Sequence, residues 1–154
     1  MSIKRVTDTP TIDTAIYAAG DALGGLLEFE DARTPFARDG AVVGAVLKDN
    51  AGLNQLILLA LFSKTFTPTA DQAAFTVSDA DLANLVGVLR FEVADYATFA
   101  ANSIAQSGFD ALELRLPFVL VEGGTSLFGQ LYLGAAMTPT YVAADDITVD
   151  LYIE

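Results

Sequence analysis

A chain of 154 residues with 20 acidic against 8 basic side chains, for a net charge of −12, repels nucleic-acid phosphates and the headgroups of anionic membranes, so neither is expected as a partner. It contains no cysteine and no histidine, which removes disulfides, thiolate metal sites, cysteine nucleophiles, the commonest general base and the commonest zinc ligand. At 53% hydrophobic residues it has ample apolar surface for one domain, and the excess points either to a generous core or to apolar surface covered by another subunit.

In chain order, residues 1–13 are polar and include Pro10. They read as an N-terminal arm or a first edge strand, with residues 14–154 as a single β domain. Thr7, Asp8, Thr9 and Pro10 follow Lys4 and Arg5 where a secretory signal would carry an apolar stretch, so no such signal is expected. The glycines of 20–25 lack the G-K-[ST] ending of a phosphate loop and read as a turn before a short strand at 26–30. Residues 41–48 (AVVGAVLK) and 56–62 are β-rich runs separated by the turn residues Asp49, Asn50 and Gly52, which together predict a hairpin. Both runs are apolar on both alternating faces, so one face fits a core and the other needs a second layer or a neighbouring subunit. Residues 56–62 are also the longest apolar run, far below the ~20 residues of a membrane helix, and a soluble chain is expected.

The loop 63–74 (SKTFTPTADQAA) has the composition of an extended arm lying on something. Ser78 is placed to cap a short helix over 79–85, with Asp79 and Asp81 in its first turn. Three later segments alternate with period 2 and predict half-buried strands. In 87–95, Leu89, Phe91 and Val93 oppose Arg90 and Glu92; in 111–121, Leu112, Leu114, Leu116, Phe118 and Leu120 oppose Glu113 and Arg115; in 147–154, Ile147, Val149, Leu151 and Ile153 share the inner face. Pro117 argues for an edge position or a bulge there. Gly123-Gly124 predicts a hairpin between 111–121 and a strand within 126–135. Residues 95–106 read as strand, although Tyr96 and Phe99 also have helical spacing. The fold class expected is all-β, an antiparallel β-sandwich or jelly-roll-like barrel with one short helix near 79–85.

Chemistry is sparse along the chain. Asp79/Asp81 and Asp145/Asp146 could contribute to a calcium loop, but no EF-hand pattern accompanies them, and a helix start and an exposed turn account for them. Glu28, Glu30, Glu92 and Glu113 could pair for glycoside hydrolysis; charge pairing with Arg90 and Arg115 on a solvated face accounts for the last two. Thr125 and Ser126 have no activating histidine, and Lys4, Lys48 and Lys64 lie in no nucleophile motif. No catalytic residue, cofactor or metal is expected, and the chain does not read as an enzyme. Phe29, Phe91 and Phe118 fall on core faces. Phe36, Phe66, Phe75, Tyr132 and Tyr152 fall in loops or on outer faces, as interface anchors or as satellite clusters under folded-back loops. Ile3, Lys4, Arg5, Phe66, Pro68 and Phe75 are the candidate interaction residues.

Four pieces, residues 13–25 (DTAIYAAGDALGG), 48–50 (KDN), 75–82 (FTVSDADL) and 127–129 (LFG), occur in an order that resembles small β-structured virion proteins of tailed bacteriophages. The resemblance implies a capsid decoration (cement) protein with a sandwich or jelly-roll-like fold. It would be made in the host cytoplasm and would bind the major capsid protein on the capsid exterior as a homo-oligomer, a trimer being favoured. It carries over no functional residue. The alternative from another class is a tail- or fibre-associated module that binds a receptor or glycan, which the same fold would serve.

Overall fold

Alternating burial builds ten strands among the described residues. A computed structural model describes residues 2–33, 37–107 and 115–154, and in it the strands form two antiparallel sheets stacked as a β-sandwich. They are β1 (Lys4–Asp8), β2 (Ala22–Phe29), β3 (Asp39–Asp49), β4 (Ile57–Phe62), β5 (Leu85–Phe91), β6 (Tyr96–Phe99), β7 (Asn102–Ser107), β8 (Leu116–Val119), β9 (Leu127–Leu133) and β10 (Ile147–Ile153). The larger sheet runs β1-β10-β3-β7-β6, with β8 also paired to β3; the smaller runs β2-β9-β4-β5.

The core lies between the sheets. β10 contributes Ile147, Val149, Leu151 and Ile153, each at most 2% exposed, and β1 and β3 flank it on either side. From the smaller sheet come Leu27 and Phe29, Leu59 and Leu61, Leu89 and Phe91, and Leu127 and Leu131. The alternation at 87–95 stops at Phe91: Val93 is exposed and starts a 3-10 turn, Val93–Asp95. Residues 95–106 become the β6–β7 hairpin, Tyr96 pairing with Ala105 and Phe99 with Asn102. In the run 111–121, Phe118 and Leu120 are buried, while Leu112, Glu113 and Leu114 lie outside the described residues, as does Phe36. Among the described residues β8 pairs with β3 alone, which is the edge position, one of the two placements that Pro117 allowed. The helix is a single turn, α1 (Asp79–Leu82). Ser78 Oγ accepts the Asp81 N–H at 3.1 Å, and the helix stops early because Leu85 already pairs with Phe62.

Two hairpins expected from turn chemistry are replaced by crossings between sheets. β3 pairs with β10, β7 and β8, whereas the next strand, β4, pairs with β5 and β9. The Asp49 side chain causes the turn away. It is fully buried at the end of β3 and accepts the N–H groups of Ala51, Gly52, Leu53 and Asn54 at 2.8–3.1 Å. Gly52 has φ +63°, and a Cβ there would stand 2.6 Å from the Ala101 carbonyl oxygen, so only glycine fits. A β3–β4 hairpin would place two apolar strands in one sheet. The crossing lets their inner faces meet across the core. The Gly123-Gly124 turn also exists, with Gly124 N–H donating to the Val121 carbonyl at 2.9 Å, but it carries the chain from β8 in one sheet to β9 in the other. The strand expected at 26–30 begins earlier, at Ala22. Its register shifts between Leu23 and Leu27, where Gly24 (φ +76°) lies so close to Pro10 that a Cβ would approach to 2.7 Å.

Leu151 is fully buried in a strand with neighbours on both sides. Leu151→Ala is expected to cost about 2–5 kcal/mol, read as a lowered denaturant midpoint, and removal of 151–154 is expected to lower Tm further; an unchanged Tm would deny β10 its central place. Burial pushes the Asp49 carboxyl above the ordinary carboxylate range, outweighing the four amides that pull it down. A raised acid pKa means that the fold favours the protonated form. The contribution is fully present below the unfolded value and is lost as pH rises through the folded one. Asp49→Asn removes that titration, so the Tm advantage of wild type over variant should shrink as pH rises from about 3 through and beyond the ordinary carboxylate range; a constant difference would show that Asp49 titrates as it does in the unfolded chain.

Candidate interaction surfaces

The candidate residues of the N-terminus lie on an ordered edge. β1 pairs with β10 in the register Lys4↔Ile153, Arg5↔Tyr152 and Val6↔Leu151, and Val6 points into the core. Lys4 and Asp8 share the face of Val6 and close the seam between the sheets. Lys4 Nζ donates to the Asp31 carbonyl at 2.7 Å and pairs with its carboxylate at 3.1 Å, while Asp8 Oδ2 accepts the Glu28 N–H at 2.7 Å. Both members of the Lys4–Asp31 pair are exposed, so it contributes only about 0–1 kcal/mol. Arg5 is exposed on the other face, and Ile3, 61% exposed, stands at the tip. This edge therefore presents Ile3 and Arg5 to solvent, with Lys4 engaged by Asp31 and the groove along it also lined by Asp8, Glu28 and Glu30.

The loop after β4 does lie on something: the outer face of its own smaller sheet. Cross-strand register sets that face in rows, Tyr132–Leu58–Arg90, then Gln130–Ala60–Val88, with Phe128 beside Phe62. The Phe66 ring packs on Phe62 at a centroid distance of 4.1 Å, and Phe75 stacks on Tyr132 at 4.3 Å and 5°. Gln130, fully buried, holds the loop by its side-chain amide: Nε2 donates to the Gly24 and Thr69 carbonyls at 2.9 and 2.6 Å, and Oε1 accepts the Thr69 N–H at 2.9 Å. Asp71 ties the loop to the N-terminal segment, accepting from Gly24 N–H, Asp13 N–H and the Tyr17 hydroxyl. These contacts make a second small core of Ala60, Phe62 and Phe66, with Phe75, Val77, Phe128 and Tyr132 against it. Of the three loop candidates, Phe66 is buried, Phe75 half-buried and Pro68 exposed. Gln130 and Asp71 were not singled out by sequence. A glutamine amid the apolar run of β9 was the available signal, because a polar side chain there must find partners when buried.

An open cleft of about 400 Å³ remains where the loop stops, lined by Leu56, Leu58, Phe75, Arg90, Tyr132 and Gly134 among others. Its floor is apolar, and Arg90, ion-paired with Glu92 just beyond the end of β5, forms its polar rim. Phe75 and Tyr132 face each other, so two of their ring faces are already occupied. A second open groove, about 710 Å³, runs beside the C-terminus between Gly40, Pro117, Phe118 and Glu154, where Arg115 reaches Glu154 at 3.4 Å.

The acidic candidates are engaged locally. Asp146 Oδ2 accepts the N–H groups of Val142 and Ala143, Asp81 belongs to the helix cap, and Glu28 accepts from Ser126 Oγ at 2.9 Å. Glu92, at the cap of the turn that follows β5, pairs with Arg90, and Arg115 pairs with Glu154; Glu113 lies outside the described residues. Lys48 Nζ pairs with the buried Asp150 carboxylate at 2.7 Å across β3 and β10. Among the described residues, no three acidic side chains converge in a way that could hold a metal ion. Burial raises the hydroxyl pKa of Tyr17, Tyr96 and Tyr141 above the ordinary tyrosine value, so all three remain protonated donors near neutrality.

No protein-family model and no curated protein sequence matches this chain.

The loop's attachment is testable on its own. Phe66→Ala should cost about 3–5 kcal/mol by chemical denaturation and should speed trypsin cleavage after the exposed Lys64; an unchanged midpoint and cleavage rate would mean that the loop is held without Phe66.

Proposed function

We propose that this chain is a structural assembly protein of a phage virion, a capsid decoration protein that binds the major capsid protein and stabilises the head. The observation that carries the reading is the N-terminal edge. The exposed Ile3 precedes an edge strand on which Arg5 faces solvent and Lys4 pairs with Asp31, in a sandwich whose net charge is −12. Such an edge can add contact to a neighbouring acidic or apolar surface, while the acidic remainder keeps densely arrayed copies apart. Clamping needs only modest contacts per copy, because many copies on a symmetric shell sum them. On this reading the chain is not an enzyme, is made in the host cytoplasm and works on the capsid exterior as a homo-oligomer, a trimer being favoured.

The second reading, a tail- or fibre-associated module for a receptor or glycan, draws on the cleft beside Phe75, Tyr132 and Arg90. A sugar ring would seek an open aromatic face there, and the mutual stacking of the two rings reduces what is offered. A glycan array with specific hits lost in Tyr132→Ala would favour this reading over the first.

For the leading reading, Lys4→Ala/Arg5→Ala is expected to lower occupancy on undecorated capsids by about 2–10-fold at sub-saturating protein, with a weaker salt dependence than wild type. Unchanged occupancy removes the N-terminal edge from the contact, and wild type that binds no capsid overturns the reading.

A further inference from the structure

Cross-strand register sets Asp49, Ser103 and Thr98 side by side on one face of the larger sheet, in the row Ile147–Asp49–Ser103–Thr98. The connection that follows Asp49 closes this row into a ring. Asn54 N–H donates to Asp49 Oδ2 at 3.1 Å, and Asn54 Nδ2 reaches Thr98 Oγ1 at 3.4 Å. Two further contacts hold the β6–β7 hairpin against the same connection: the Tyr96 hydroxyl donates to the Gln55 carbonyl at 2.7 Å, and Gly52 lies against the Ala101 carbonyl. Within the ring two buried polar atoms, Ser103 Oγ and Asn54 Oδ1, have no hydrogen-bond partner among the described residues. Ser103 is only 1% exposed, so bulk solvent does not serve its hydroxyl. An unpaired hydroxyl or amide oxygen in the interior is costly, and folded proteins seldom leave one.

We propose that this ring is a binding site for one water molecule, held as a fixed part of the fold, which accepts from the Ser103 hydroxyl and donates to Asn54 Oδ1. The chemistry of the neighbours selects that occupant. An amide oxygen only accepts and a hydroxyl can do both, so whatever joins them must itself donate. Ser103 cannot turn to Asp49 instead, because each Asp49 oxygen already accepts two loop amides, Oδ1 from Ala51 and Gly52 and Oδ2 from Leu53 and Asn54. The same saturation disfavours a metal cation, which would compete with those four N–H groups and would meet no second acidic side chain in the ring. An anion would meet no cationic one. Thr98, on the solvent side of the ring, supplies a third polar neighbour, which gives the water the usual number of hydrogen bonds. The water ties the β6–β7 hairpin to the connection that carries the chain from one sheet to the other.

A crystal structure at about 1.5 Å resolution or better should show a water between Ser103 Oγ and Asn54 Oδ1, about 2.5–3.2 Å from each. Stability tests the same point by its sign. With the water in place, Ser103→Ala leaves Asn54 Oδ1 poorly paired and should lower Tm by about 2–5 °C; in a dry site the same substitution removes an unpaired buried hydroxyl and should raise Tm. Asn54→Gly, which suits the positive φ of 53° at that position, should also lower Tm. The double variant should lose less than the sum of the two, because both dismantle one bridge. A Tm that holds or rises in Ser103→Ala overturns the proposal, as do additive losses or a crystal structure in which the two oxygens share no water.

Discussion

The side chain of Asp49 accepts the N–H groups of four successive residues, and the connection it holds is where the chain leaves the larger sheet for the smaller. The buried Asp49 carboxyl is tolerated there because the amides offset part of its lost hydration, and the loop is tolerated at the core's edge because the carboxyl oxygens satisfy the loop's donors. With β3 and β4 assigned to opposite sheets, their apolar inner faces form the two walls of the core. The other strands follow: β10 and β7 flank β3, and β9 and β5 flank β4.

The crossing leaves the outer face of β4 apolar as well, and the chain covers it with its own loop. Phe66 lies over Phe62, Phe75 over Tyr132, and Gln130 supplies the hydrogen bonds that fix the loop's height above the sheet. The seam between the sheets is closed by Lys4 reaching Asp31 and Asp8 reaching Glu28. The apolar excess of the sequence is therefore divided between a main core and a satellite core. What remains outside is spread over the surface: Leu82, Val93, Phe99 and Val119 are exposed as well as Ile3 at the N-terminal edge and Ile16 and Val142.

The N-terminal edge is mixed in charge: Lys4 and Arg5 lie among Asp8, Glu28, Glu30 and Asp31, and Lys4 is engaged by Asp31. The paired stretches 14–20 and 134–144 carry no charged residue of their own and are bordered by the exposed Asp13 and Asp145.

Strand by strand, much of this was legible in the residues. The period-2 alternation of 147–154, the interruption at Pro117, the cap at Ser78 and the core places of Phe29, Phe91 and Phe118 follow from local sterics and hydrogen bonding, which travel with the sequence. The turns at 49–52 and 121–124 were also recognisable, but not their partners. A turn that closes a hairpin and a turn that crosses between sheets use the same glycines and the same Asx chemistry, and only the burial of both apolar faces distinguishes them. The same holds at the surface. Phe66 and Phe75 could have been anchors for another chain, and Ile16 and Val142 could have been core. Sequence by itself determined which residues are apolar and which strands they form. Tertiary structure alone decided which of those residues the chain covers for itself, because that depends on where distant segments such as 63–77 and 134–144 come to rest.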